Sequence, residues 1–222
     1  MTEIFMKFRE KFQSSKNNQP KIILVTGYRG CGKDYISDLI IKEFKNTENF
    51  KILRYTISDK LKKFISKMYS IPLNHIEKYK REPKAASFEI GYKKYNMRSL
   101  LVHTANTMRD FFGTEFWIKI LYKDIEKDLE ISKENDKMLI PLITDVRFLA
   151  EVDFLQKKFS RENMLIINIA SNCETCESGN QDEKDLIDIE TDINFFNNCK
   201  DSKDFSNSFE ELIYKIKEFI KK

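Results

Sequence analysis

Four apolar residues in a row, Ile22-Ile23-Leu24-Val25, lead into Gly27-Tyr-Arg-Gly-Cys-Gly-Lys33-Asp34, and apolar residues then recur at Ile36, Leu39, Ile40 and Phe44. The order is a buried strand over Lys21–Thr26, a glycine-rich turn and a helix over roughly Lys33–Phe44. Little else fits that order except an α/β domain whose first turn meets an anion. Glycines let backbone N–H groups turn inward around phosphate oxygens, and the helix N-terminus adds a favourable partial charge. Lys33 is placed to reach the terminal phosphates of a nucleotide. The residue after this lysine is usually Ser or Thr, whose hydroxyl binds Mg²⁺. Here it is Asp34, a charged hard-oxygen donor that can hold the same ion directly or through water.

The rest of the chain repeats the alternation. Strands are expected at Ile52–Ile57, Met138–Thr144 and Met164–Ala170, with an irregular entry at Pro141. Helices are expected at Ser58–Tyr69 (opened by a Ser or Asp cap), Met97–Phe112, Thr114–Ile131, Phe148–Phe159 and Ser208–Ile220. Strands alternating with helices imply a parallel sheet covered on both faces. Phe5, Phe8 and Phe12 predict an amphipathic helix within residues 1–19, ahead of a domain spanning 20–222. Pro72, Pro83 and Gly91 interrupt the periodicity, so an inserted acceptor-binding lobe is expected at about 70–112. The polar, acidic stretch at about 171–188 reads as a loop or lid.

Composition narrows the class. With 222 residues, 41% hydrophobic and 33% charged, the chain has the balance of a globular protein. No apolar run approaches a membrane span and no secretory signal is visible, so a cytoplasmic protein with free thiols is expected. A net charge of +4 is too small for a nucleic-acid partner to be favoured. The basic excess is local, at Lys78, Lys80, Arg81, Lys84, Lys93, Lys94 and Arg98, and suits a phosphorylated small molecule or a solvated helix face. Cys173-x-x-Cys176 is half of a zinc pattern that nothing completes.

Two further groups of residues carry chemistry. Asp145 ends an apolar strand, where ligands of parallel sheets gather, and can hold Mg²⁺ or orient an acceptor. It can equally cap the helix beginning near Phe148. Arg147 offers a forked donor to phosphoryl oxygens, and Glu151, one helical turn on, can position it. In Met97–Trp117, Arg98, Asn106 and Arg109 recur near helical spacing, and Arg98 and Arg109 can grip a monophosphate. Trp117 can line a pocket wall or pack in the core.

The Gly-x-x-x-x-Gly-Lys-Asp loop, the Arg98–Trp117 segment, Asp145-Val-Arg147 with Glu151, and Asn207-Ser-Phe-Glu-Glu-Leu212 occur in the order found in bacteriophage-type deoxynucleoside monophosphate kinases. The chain resembles that family over most of Lys21–Ile220. The resemblance implies a three-layer α/β/α P-loop fold, with a mostly parallel five-stranded sheet and an inserted helical acceptor-binding lobe. It implies transfer of the ATP γ-phosphoryl, with Mg²⁺, to a deoxynucleoside monophosphate. ATP would be bound by Gly27, Arg29, Gly30, Cys31, Gly32, Lys33, Asp34 and Tyr35, and the metal by Asp34 and Asp145. Lys33, Asp145 and Arg147 would be catalytic, and Lys62, Arg98, Asn106, Arg109 and Trp117 would bind the acceptor. Val102, Ala105 and Asn106 depart from the family's Gln, Gly and Thr, and Ser171–Glu183 has no Arg or Lys, unlike its usual lid. Animal-type phosphomevalonate kinase shares the Gly-Lys-Asp loop and the Asp-x-Arg. A nucleotide-binding protein without turnover and a nucleic-acid-dependent ATPase also stay open, as does a homodimer.

Overall fold

The computed structural model describes residues 19–82, 87–90, 93–134, 137–171, 186, 188–198 and 203–222. The expected N-terminal helix, almost all of the expected lid, and Cys173, Cys176 and Cys199 lie outside these residues. The apolar run forms β1 (Ile22–Thr26), buried along its whole length. Ile23 and Val25 enter the core on one face and Ile22 and Leu24 the core on the other, which is why no polar alternation marks the strand.

In chain order there follow α1 (Lys33–Glu43), β2 (Phe50–Tyr55), α2 (Ile57–Tyr69), α3 (Leu73–Arg81), β3 (Ser87–Ile90), β4 (Lys93–Asn96), α4 (Met97–Phe112) and α5 (Phe116–Glu134). Then come β5 (Met138–Ile143), α6 (Leu149–Phe159), β6 (Met164–Ala170), β7 (Ile193–Phe196) and α7 (Lys203–Lys221). Five strands form one sheet in the order β2-β5-β1-β6-β7, parallel at every pairing. Ile36 and Ile40 of α1 and Leu212 and Ile216 of α7 pack on one face. Leu121 and Ile125 of α5 and Val152 and Leu155 of α6 pack on the other. The architecture is a three-layer α/β/α sandwich.

Several boundaries differ from the sequence expectation, each for a local reason. β2 starts and ends two residues earlier, because Ile57 is already the first residue of α2. The cap of α2 is Thr56, whose hydroxyl accepts from the Asp59 N–H at 3.1 Å, not a Ser or Asp. Pro141 causes no irregular entry: β5 is continuous, and its registered pairing with β1 begins at Leu142, just past the missing N–H. β7, whose residues alternate buried and exposed at the sheet edge, had no run long enough to mark it. α7 begins five residues before the expected Ser208. Lys21, just ahead of β1, holds its far end: Nζ donates to the carbonyls of Phe219 (3.0 Å) and Ile220 (2.7 Å), satisfying last-turn acceptors.

The inserted segment is not purely helical. β3 and β4 pair antiparallel as a hairpin beside α3 and α4. Ile65, Ile76, Met97, Leu100 and Leu101 give it a small core of its own. Asn96 caps α4 by accepting from the Ser99 N–H at 2.8 Å.

Candidate active site

The chain leaves β1 for α1 on one face of the sheet and leaves β5 for α6 on the other. Neighbouring strands whose connections diverge in this way leave a crevice at their carboxyl ends. Thr26 ties the two exits together, its hydroxyl donating to the Val146 carbonyl at 3.1 Å. A cleft of about 810 Å³ opens there. It is lined by Arg29, Gly30, Gly32, Lys33 and Asp34 of the loop, the start of α2, Lys62, Glu77 and Lys80, one side of α4, and Asp145, Arg147 and Phe148.

Most residues singled out in the sequence therefore meet, with Arg98, Asn106 and Arg109 lining the same cleft as Arg29 and Lys33 of the loop. Of those that the resemblance assigned to the site, four do not reach its lining. Gly27 lies at the base of the loop against β6, where a Cβ would land on the Ile169 carbonyl oxygen. Cys31 is fully buried, and its thiol donates to the Tyr28 carbonyl at 2.8 Å, so it packs the loop from inside. Tyr35 turns toward the α7 side, with its ring 6.3 Å from that of Phe205. Trp117 is a core residue rather than a pocket wall: it is buried, with its indole N–H donating to the Ala105 carbonyl at 3.2 Å beneath α4.

Within the loop, Gly32 takes φ +90° as the N-cap of α1, a conformation open to glycine at little cost. Asn197, after β7, stands behind it. Its side chain donates to the Cys31 carbonyl at 3.0 Å, its backbone N–H donates to the Ala170 carbonyl at 2.7 Å, and it occupies the space a Gly32 Cβ would need. Lys33 folds back so that Nζ donates to the carbonyls of Gly27 (2.7 Å) and Tyr28 (2.6 Å). Asp34 is 80% exposed and ion-paired with Arg54 of β2, which also holds Asp38 at 2.8 Å. Arg54 is a cleft cation that sequence reading missed, since a single Arg in a strand carries no periodic signal.

Asp145 does not cap α6, whose N-cap is Phe148. Its two oxygens accept from the N–H groups of Ile57 and Ser58, each at 2.8 Å, so beside the Thr56 cap it satisfies the first two N–H groups of α2. Lys62 is nearly buried and ion-paired with Asp59 (3.0 Å) and with Glu77. Burial pulls its pKa down, but these carboxylates outweigh burial and hold it above the ordinary lysine value. Lys80, on the next turn of α3 from Glu77, has the opposite balance. Burial and the nearby Lys62 charge lower its pKa. An anion between Lys62 and Lys80 would relieve both effects. Of the basic cluster noted in the sequence, Lys80 and Arg98 line the cleft, whereas Lys94 pairs with Glu89 at 3.1 Å. Glu151 is buried and its Oε2 accepts from the N–H of Arg147 (3.0 Å) and of Phe148 (3.3 Å), so it fixes the backbone that carries Arg147.

Among the described residues, no group of three or more His, Cys, Asp or Glu is gathered for a metal, and no helix is long and apolar enough to cross a membrane. No protein-family model matches the chain, and no curated protein matches it. Solved structures do. A shikimate kinase from Bacteroides thetaiotaomicron is similar at 11% identity and a TM-score of 0.35, over 89% of this chain and 98% of that one. A sugar kinase from a Janibacter species is similar at 10% and 0.36, over 91% and 95%. The APS kinase of Mycobacterium tuberculosis, solved with AMPPNP and APS, is similar at 14% and 0.37, over 92% and 99%. At these identities and scores, the function of this chain rests on its own residues.

Proposed function

We propose that this chain transfers the γ-phosphoryl group of ATP to a deoxynucleoside monophosphate. One observation carries the reading: among the described residues, every carboxylate lining the cleft already has a partner. Asp34 pairs with Arg54, Asp59 and Glu77 with Lys62, and Asp145 with two backbone N–H groups. Among the described residues, no His lines the cleft. An acceptor hydroxyl needs a base to take its proton. A phosphate acceptor is already anionic and needs none, only cations that let two anions approach. Among the described residues, eight Arg and Lys side chains line the cleft against four carboxylates.

In this reading the loop N–H groups and Lys33 hold the donor phosphates. Arg147 and Arg29 neutralise charge as the group moves. Lys62, Lys80, Arg98 and Arg109 hold the acceptor phosphate. Asp145 acts by holding the start of α2 against the crevice. Positioning and electrostatics supply the rate. The residues also fit Mg²⁺. Asp34 is largely open to solvent, and Thr144 places a buried hydroxyl at the cleft with no hydrogen-bond partner among the described residues. Such hard oxygens suit Mg²⁺, which keeps several waters and takes one or two carboxylates beside substrate phosphates. Bound there, the ion would neutralise developing charge on the donor phosphates.

ADP release measured with a panel of deoxynucleoside and nucleoside monophosphates, beside phosphomevalonate and hydroxyl acceptors, is the test. Turnover is expected with at least one deoxynucleoside monophosphate. Preference for phosphomevalonate would keep a phosphate acceptor and replace its identity. Turnover confined to hydroxyl acceptors would overturn the reading.

A further inference from the structure

Beneath the acceptor side of the cleft, one carboxylate oxygen is left over. Glu151 Oε2 is used by the backbone of Arg147 and Phe148, but Oε1 is buried with no hydrogen-bond partner among the described residues. Arg109 is beside it, with Nη2 3.8 Å away. The guanidinium of Arg109 sits 4.2 Å from the centroid of the Phe148 ring, and its Nη1 donates to Asn106 at 3.2 Å. Phe148 is itself fixed by Glu151 through its N–H. One buried side chain therefore sets both the ring under Arg109 and the charge beside it.

We propose that Glu151 is a positioning residue that holds Arg109, through its charge and through Phe148, in place to grip the acceptor's phosphate. The proposal rests on the function proposed above, because Arg109 is taken there as an acceptor contact. It adds a control that the function does not require. The groups facing Glu151 are Arg109 from α4, Asp145 from the end of β5, and the N–H groups of Arg147 and Phe148. Burial raises the Glu151 pKa to about 7, against the pull of those N–H groups and of Arg109, while Asp145 adds to the rise. The charge that steadies Arg109 is then present above about pH 7 and withdrawn below it. Acceptor binding weakens as Glu151 takes up a proton.

Glu151→Gln keeps an oxygen that can accept from both N–H groups and removes the charge. At pH 8 the acceptor KM should rise roughly tenfold, the size of one weakened charge-assisted contact, with the ATP KM unchanged. At pH 6 the native Glu151 is itself mostly protonated, so the ratio of variant to native KM should fall toward one. Comparing ratios removes the acceptor phosphate's own titration. An acceptor KM ratio that stays constant with pH, or an ATP KM that moves as much, would overturn the proposal. A second readout needs no acceptor and leaves Glu151 unchanged. The ¹⁵N resonance of the Arg109 guanidinium, identified by its loss in Arg109→Lys, should shift with an apparent pKa near that of Glu151. A resonance flat across that range would overturn the proposal even if a monophosphate is a substrate. A titrating resonance with no monophosphate turned over would locate the failure in the proposed function.

Discussion

Lys33→Ala should lower kcat by about 10²–10³-fold, the usual loss when one preorganised partner of developing charge is removed. The expectation follows from where Nζ is held, on the carbonyls of Gly27 and Tyr28 in the glycine-rich loop. In the proposed function the ammonium would exchange these two neutral carbonyls for phosphate oxygens of the nucleotide. The same contacts imply a side effect: two carbonyls lose a donor, which should cost about 1–2 kcal/mol of stability. Lys33→Met keeps the stem and isolates the charge. Steady-state kinetics together with urea unfolding separate the two effects. A kcat in either variant within about threefold of the native value, well short of the loss expected for such a partner, would remove Lys33 from the chemistry.

Gly27→Ala should destabilise the fold by roughly 2–5 kcal/mol, combining backbone strain with overpacking. Gly27 has φ +134°, and its missing side chain faces the Ile169 carbonyl and, at 3.1 Å, the Cys31 sulfur. The carbonyl belongs to β6, the strand paired along the whole of β1, so neither side can yield without disturbing the centre of the sheet. Gly113 is the control. It also has a positive φ, +93°, but nothing stands within 4 Å of its hypothetical Cβ. Gly113→Ala should cost only about 1–3 kcal/mol from strain alone. Equal losses in the two variants, measured by urea midpoint, would mean that close approach to β6 does not matter.

The parts of this molecule that sequence makes visible are those whose cause is local. β1, its loop and α1 are legible because a strand buried on both faces needs an unbroken apolar run and a tight phosphate turn needs glycine. The parts that stay hidden have causes elsewhere in the chain. Asp145 reads as a cap for the helix that follows it, yet it satisfies the first two N–H groups of α2, which lie 88 and 87 residues back. Glu151 reads as a partner for the Arg147 side chain at helical spacing, yet it takes that residue's backbone and faces Arg109 of another helix. Arg54 looks like one charge in a strand until α1 brings Asp34 and Asp38 against it. The hairpin β3–β4 lies in a polar stretch whose pairing comes from a register that no period of its own reveals. The choice between core and pocket for Trp117 also needed the fold, because helical spacing alone permits either.

The side chain of Asn197 standing where a Gly32 Cβ would go links two distant codons genetically. A Gly32→Ala lesion clashes with the far end of a side chain rather than with backbone. It should therefore be open to second-site suppression: Asn197→Ala or Asn197→Gly, arising with it, would restore part of what it removes. The residual defect would be the φ +90° backbone, which no change at 197 relieves. Positions 32 and 197, 165 apart in numbering, should therefore behave as a coupled pair: the Gly32→Ala, Asn197→Gly double variant should have a higher urea midpoint than the sum of the two single effects predicts.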